Sequence, residues 1–180
     1  MYFGLSEEQQ FFQESIDKFL EDTVTVDALR SYRTGEDDNL IDDVFNGLNE
    51  LGLSGLIIPE EYGGLGLDSL FAISVSESLG KGVAPYPFIG SFLIAPFLIN
   101  KLGSDSQKQK YLPSIANGEY RFAVALTEMT GRRIEKGIQS SKQKLSGQSL
   151  FVMDDIHSTH YLILDSDGAL HIVEAEESGL

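Results

Sequence analysis

The spacing of hydrophobic and polar positions in the first half of the chain is that of helices. Ser6 and Gln9 have the spacing of a capping box, and a stripe of apolar residues follows them at intervals of three and four. A second helix is predicted from a cap at Asn39 to a stop at Gly52. Residues 53–68, with one proline and three later glycines, are predicted to form an ordered loop.

Three more helices are predicted before residue 118. The third starts at Asp68 or Ser69 and ends near Gly80. The fourth spans residues 88–102 and is bent at Pro96, because proline has no amide hydrogen to donate. The fifth opens at a second capping box, Ser104 with Gln107, and ends at Asn117–Gly118.

After Gly118 the period changes to that of β-strands. Short strands are predicted over 121–127, 144–153, 160–165 and 169–175, with Asp167–Gly168 as a hairpin turn. The pattern therefore predicts an α+β protein, with an all-α N-terminal domain (1–120) followed by an incomplete antiparallel β-domain (121–180). No closing element follows the last strand, so we expect the chain to be a truncated form of a larger fold.

Composition agrees with a folded protein outside the membrane. The chain has 180 residues, of which 42% are hydrophobic, and it has no cysteine, so disulfides and thiolate metal sites are excluded. Its longest apolar stretch, residues 87–99, is shorter than the ~20 residues of a spanning helix. With no secretory signal at the N-terminus, we expect a cytoplasmic protein.

The net charge of −15 is unevenly distributed. Residues 1–68 hold 16 acidic and 3 basic side chains, which argues against nucleic-acid binding. Residues 101–144 hold 9 basic and 4 acidic side chains. This local excess either attracts one small polyanion or is part of a mixed solvated surface.

Four stretches, taken together and in this order, resemble the acyl-CoA dehydrogenases. They are ELGLSGLIIPEEYGGLGLD (50–68), ESLGKG (77–82), LGSDSQKQKYLPSIANGEYRFAVALTE (102–128) and GQSLFVMDD (147–155). The resemblance implies a helical domain, a middle β-domain and a C-terminal helical domain, with FAD bound between the last two. It also implies oxidation of a CoA thioester by α-proton abstraction and hydride transfer from the β-carbon.

No catalytic residue is carried over by this resemblance. The family's base is a glutamate in the C-terminal helical domain, and no acidic residue of this chain matches it. We therefore expect the chain alone to be inactive. The resemblance also implies an acyl-CoA substrate, assembly as a homo-oligomer or with a related subunit, and an electron-accepting flavoprotein as redox partner.

The flavin contacts are carried over only in part. Leu126 and Thr127 match the residues that hold the pyrimidine edge of FAD, and Phe151 matches an aromatic residue that covers the ring. Met153 stands where the family has a Thr or Ser hydroxyl facing flavin N5, and its thioether donates no hydrogen bond. Arg132 and Arg133 replace small residues near the cofactor and substrate phosphates, so we expect a phosphate-binding role for them, a solvated turn or an ion pair with Glu135.

Simpler interpretations stand beside these. Without the family, Thr127 and Glu128 are an ordinary strand end, and His157 and His160, three apart, would point to opposite faces of a strand rather than share a metal. We expect no metal site. The competing hypothesis is a non-catalytic structural or binding subunit that kept the fold and pairs with an intact dehydrogenase subunit.

Overall fold

The computed structural model describes residues 4–36, 39–126, 137–142 and 144–176. The chain separates into two compact units, residues 1–86 and 87–180. No helix in these described ranges combines the length and the apolar composition that a membrane crossing requires.

The first unit is helical. Its helices are α1 (Glu7–Thr23), α2 (Val26–Thr34), α3 (Leu40–Glu50) and α4 (Ser69–Lys81). The capping box is confirmed, because the Ser6 hydroxyl accepts from the Gln9 amide and the Gln9 side chain accepts from the Ser6 amide. Asp68 caps α4 by accepting from the amides of Leu70 and Phe71.

Two features of this unit differ from the predicted pattern. Helix α2 was not predicted; it has only nine residues, and none of them is buried. Asn39 does precede α3, but its side chain makes no capping hydrogen bond. The loop over 53–68 is ordered as predicted, with short 3₁₀ turns at Leu53–Gly55 and Glu60–Tyr62.

The second unit packs helices with a small sheet. A π-helical segment (Phe88–Ile94) continues into α5 (Ala95–Leu102), and α6 (Asp105–Ala116) follows. Pro96 lies in the first turn of α5, directly after the change from π-helix to α-helix, and the bend predicted at this residue stays a prediction. The second capping box, Ser104 with Gln107, is confirmed.

The strands are β1 (Phe122–Ala125), β2 (Gln139–Ser141), β3 (Lys144–Ser146), β4 (His160–Leu164) and β5 (Leu170–Glu174). The main sheet has the order β1-β4-β5, and β2 and β3 form a separate hairpin. The α+β class is confirmed. The main sheet is mixed, however, because β1 pairs with β4 in parallel and β4 with β5 antiparallel.

Two strand predictions need correction. The strand predicted over 144–153 ends at Ser146, because the backbone that follows has positive φ angles at Gly147 and Phe151, outside the β region. Strand β2 was missed, since its residues are all exposed and polar. The turn between β4 and β5 is as predicted, with Gly168 at a φ of 85°.

Candidate functional site

The candidate site lies at the end of β1, a buried strand. Phe122, Ala123 and Val124 are fully buried, and Leu126, which follows the strand, is half-buried. Thr127, Arg132 and Arg133 lie outside the described residues, so their predicted roles stay predictions.

The irregular segment 147–158 passes beside β1. The Val124 amide donates to the Met153 carbonyl at 2.9 Å, and the Met153 amide donates to the Val124 carbonyl at 3.0 Å. This antiparallel bridge places Met153 beside β1, and Phe151 precedes Met153 by two residues in the same segment. Three of the residues assigned to the flavin by resemblance therefore come from two neighbouring segments.

Phe151 extends from this segment into solvent. Its side chain is 83% exposed, and its backbone has a φ of 56°, which bulky side chains rarely adopt. Such conformations cost ~1–3 kcal/mol each and concentrate at functional sites. An exposed aromatic ring is suited to cover a planar ligand.

The described residues fit a flavin edge in part. Phe151 offers a ring face, whereas Met153 offers no donor, because its thioether has no hydrogen to give and its amide is already bonded to Val124. This position therefore has no free hydrogen-bond donor.

Asp154 is a residue that the sequence reasoning missed. Its Oδ2 accepts from the amides of Gly90 at 2.6 Å and Ser91 at 3.1 Å, in the first turn of the π-helical segment. Burial raises the pKa of this carboxyl group, while the two amide hydrogen bonds oppose the rise. Its position next to the Phe-Val-Met motif is the one feature of the sequence that points to this role.

Ser91 and Asp154 together attach the π-helical segment to the sheet. Ser91 is fully buried, and its hydroxyl oxygen accepts from the Phe122 amide at 2.7 Å, at the start of β1. The bridge between Val124 and Met153 joins the segment that carries Asp154 to β1 as well. The backbone around the candidate site is thus held at several points.

A second cluster surrounds His160 at the other end of β1. The imidazole is 4% exposed and stacks on Phe122 at 5.0 Å between ring centroids, with Tyr111 and Tyr120 against its other sides. Nδ1 lies 2.8 Å from the Thr159 hydroxyl, and Nε2 is buried without a hydrogen-bond partner.

Burial is the main reason that the pKa of His160 is lowered; Glu174 opposes this effect and Lys110 adds to it. A neutral ring with its proton on Nδ1 fits these contacts, because Nδ1 can then donate to the Thr159 hydroxyl. The unpaired Nε2 is then an acceptor without a hydrogen. We read His160 as a structural residue rather than a ligand. In the described part of the chain, no group of three or more His, Cys, Asp or Glu side chains is placed to hold a metal.

The turn between β4 and β5 is organised by Asp165. This buried carboxylate accepts from the amides of Asp167 and Ala169, and its Oδ2 lies 2.8 Å from His171 Nε2. The bond to His171, followed by one to Ser140, holds its pKa well below the ordinary range. These contacts complete a turn and its neighbouring hairpin, and none of them involves Leu126, Phe151 or Met153.

Comparison with known proteins decides the family. The model of the acyl-CoA dehydrogenase N-terminal domain matches residues 6–119. The chain belongs to the acyl-CoA dehydrogenase family. It is 33% identical over 129 residues to the mitochondrial isovaleryl-CoA dehydrogenase of Pongo abelii, an alignment that covers 69% of this chain and 30% of that relative.

Solved structures agree in fold. The ChsE4-ChsE5 complex from Mycobacterium tuberculosis contains a chain with a TM-score of 0.83 and 23% identity, matched over 99% of this chain and 50% of that one. An acyl-CoA dehydrogenase complexed with FAD from Bacillus anthracis gives a TM-score of 0.79 and 24% identity, over 97% of this chain and 32% of that one. The chain thus spans about a third to a half of the length of these three proteins.

Proposed function

We propose that this chain forms the N-terminal part of an FAD-dependent acyl-CoA dehydrogenase that introduces an α,β-double bond into an acyl-CoA thioester. One observation carries the proposal: the bridge between Val124 and Met153 aligns the two family motifs beside the end of β1. The proposed domains are 1–120, helical, and 121–180, the first strands of the β-domain. The end of the family match at residue 119 supports this boundary.

When bound, FAD supplies the hydride acceptor of this reaction. In the proposal, the amides after β1 and the Thr127 hydroxyl hold the pyrimidine edge, and the exposed ring of Phe151 covers the flavin face. Arg132 and Arg133 bind the phosphates of FAD or CoA through charge-assisted hydrogen bonds. Leu126 gives the site an apolar boundary.

The proposal assigns proton abstraction to a residue that these 180 positions do not contain. No acidic side chain here matches the family's glutamate base, so the isolated chain is expected to bind ligand without turning it over. The test is a dye-linked assay of the purified chain with added FAD and a series of acyl-CoA thioesters. Turnover above that of free FAD would contradict this assignment of the base.

A second candidate function is a non-catalytic subunit that pairs with an intact dehydrogenase subunit. Met153 favours it, because this position retains neither a hydroxyl nor a free amide for the flavin. The similar chain of the ChsE4-ChsE5 complex comes from a two-protein assembly, which adds support. In this candidate the chain shapes a site that its partner completes.

Flavin absorbance and the molecular mass in sedimentation distinguish the dehydrogenase part from the non-catalytic subunit. A purified chain that carries flavin absorbance favours the dehydrogenase part. A colourless chain that forms a stable complex with an intact family dehydrogenase, measured by sedimentation, favours the non-catalytic subunit. A colourless chain that stays monomeric with and without such a subunit would contradict both.

A further inference from the structure

The Asp154 carboxylate joins segments that are far apart in sequence. Its Oδ2 binds two consecutive amides, those of Gly90 and Ser91, which lie in the first turn of the π-helical segment. Amides in the first turn of a helix have no partner within the helix, so an acceptor from elsewhere satisfies them. A Cβ atom on Gly90 would lie 2.8 Å from this oxygen, so glycine allows the close approach.

The same contacts form a closed ring around the start of the sheet. Ser91 Oγ accepts from the Phe122 amide in β1, and two residues later Val124 pairs with Met153 through both of its main-chain groups. Met153 is followed directly by Asp154, whose Oδ2 accepts from the Ser91 amide and so closes the ring. We call this ring of hydrogen bonds the Asp154 clamp.

The clamp explains how Phe151 keeps an unfavourable conformation in solvent. Phe151 and Asp154 have φ angles of 56° and 58°, in the left-handed region that L side chains rarely adopt. Such conformations persist where surrounding contacts determine them. The ring of Phe151 is 83% exposed, so its own burial contributes little to its position.

We infer that Asp154 is a positioning residue, which acts through the backbone of residues 151–153 to hold the Phe151 ring where it covers the flavin. The inference rests on the proposed function for the identity of the ligand. The clamp itself follows from the hydrogen bonds and stands without it.

The first test examines the clamp in the ligand-free full chain by amide hydrogen exchange. Asp154→Ala should lose protection at the amides of Gly90, Ser91 and Met153, whereas Asp154→Asn should keep it, because the amide oxygen still accepts. Asp155→Ala is the matched control: it removes an adjacent exposed carboxylate that accepts from the Tyr161 hydroxyl instead. Equal protection in Asp154→Ala and the native chain would overturn the clamp.

The second test measures FAD affinity in the same variants. Asp154→Ala should weaken binding by up to about tenfold, which corresponds to the loss of one aromatic stacking contact between Phe151 and the flavin. Asp154→Asn and Asp155→Ala should stay within about twofold of the native value. If Asp154 acts through Phe151, the double variant Asp154→Ala/Phe151→Ala should bind no more weakly than Phe151→Ala alone.

Additive losses in that double variant would overturn the positioning role, because they would mean that Asp154 acts on FAD independently of Phe151. A native chain that binds no FAD would contradict the proposed function instead. The exchange measurement would then still decide whether the clamp exists.

Discussion

The Ser91→Ala variant isolates one buried hydrogen bond. Ser91 is fully buried, and its hydroxyl oxygen accepts from the Phe122 amide at 2.7 Å. Alanine keeps the backbone of the π-helical segment and removes only this acceptor. The Phe122 amide at the start of β1 is then left buried without a partner.

The expected loss follows from that unpaired donor. A buried polar group that loses its partner costs ~1–3 kcal/mol of unfolding free energy. Phe122 is fully buried, so water cannot readily replace the hydroxyl. At the middle of that range, and with a urea m-value of ~2 kcal/mol per molar, the unfolding midpoint should fall by about 1 M.

The assay is urea unfolding followed by circular dichroism, with Ser106→Ala as the control. Ser106 is exposed on α6 and its hydroxyl shares only an exposed hydrogen bond with the Ser104 hydroxyl in the described contacts, so its replacement should change stability by no more than ~0.5 kcal/mol. A Ser91→Ala chain as stable as the native one would refute the reasoning. Either the bond would then be absent in solution, or the Phe122 amide would have found another acceptor.

Three further predictions concern pH, phosphate binding and capping. The pKa of His160 is lowered in the folded chain, so the neutral ring stabilises the folded state fully above about pH 6.5. As pH falls below that value, this stabilisation is lost, and the free energy of unfolding decreases by at most ~1.4 kcal/mol per pH unit. The His160→Phe variant should lack this loss in acid unfolding curves while His157→Gln keeps it, and an unchanged pH slope in His160→Phe would count against it. Replacing Arg132 and Arg133 by Ser should weaken FAD or CoA binding at low salt, and an unchanged calorimetric affinity would identify them as a solvated turn. Asp68→Ala should lower the free energy of unfolding by ~0.5–2 kcal/mol through loss of the α4 cap, and a thermal midpoint equal to that of the native chain would argue against it.

Local sequence signals predicted the helices well. In both capping boxes the two partners are only three positions apart in the sequence, and the structure confirms both. The hairpin turn at Asp167–Gly168 depends equally on neighbouring residues. The family, too, could be recognised from local motifs.

Features set by distant contacts could not be predicted. The π-helical geometry of residues 88–94 involves Ser91, whose partners Phe122 and Asp154 lie more than 30 and 60 positions away. The hydrophobic run LFVM favoured a strand over residues 150–153, but Met153 pairs alone with Val124 and Phe151 turns outward. Tertiary hydrogen bonds, rather than propensity, decide the conformation of this segment.

The affinity of the chain for FAD is the decisive quantity. An equilibrium titration of the native chain and Met153→Thr, followed by flavin fluorescence, compares the site as it stands with one whose hydroxyl is restored. We predict that the native chain binds FAD, more weakly as salt rises, and that Met153→Thr binds about 2–10-fold more tightly, as one added neutral hydrogen bond would give. If neither protein changes the fluorescence of FAD at any salt concentration, the residues of this chain form no flavin site by themselves, and the flavin contacts assigned to them in the proposed function are wrong.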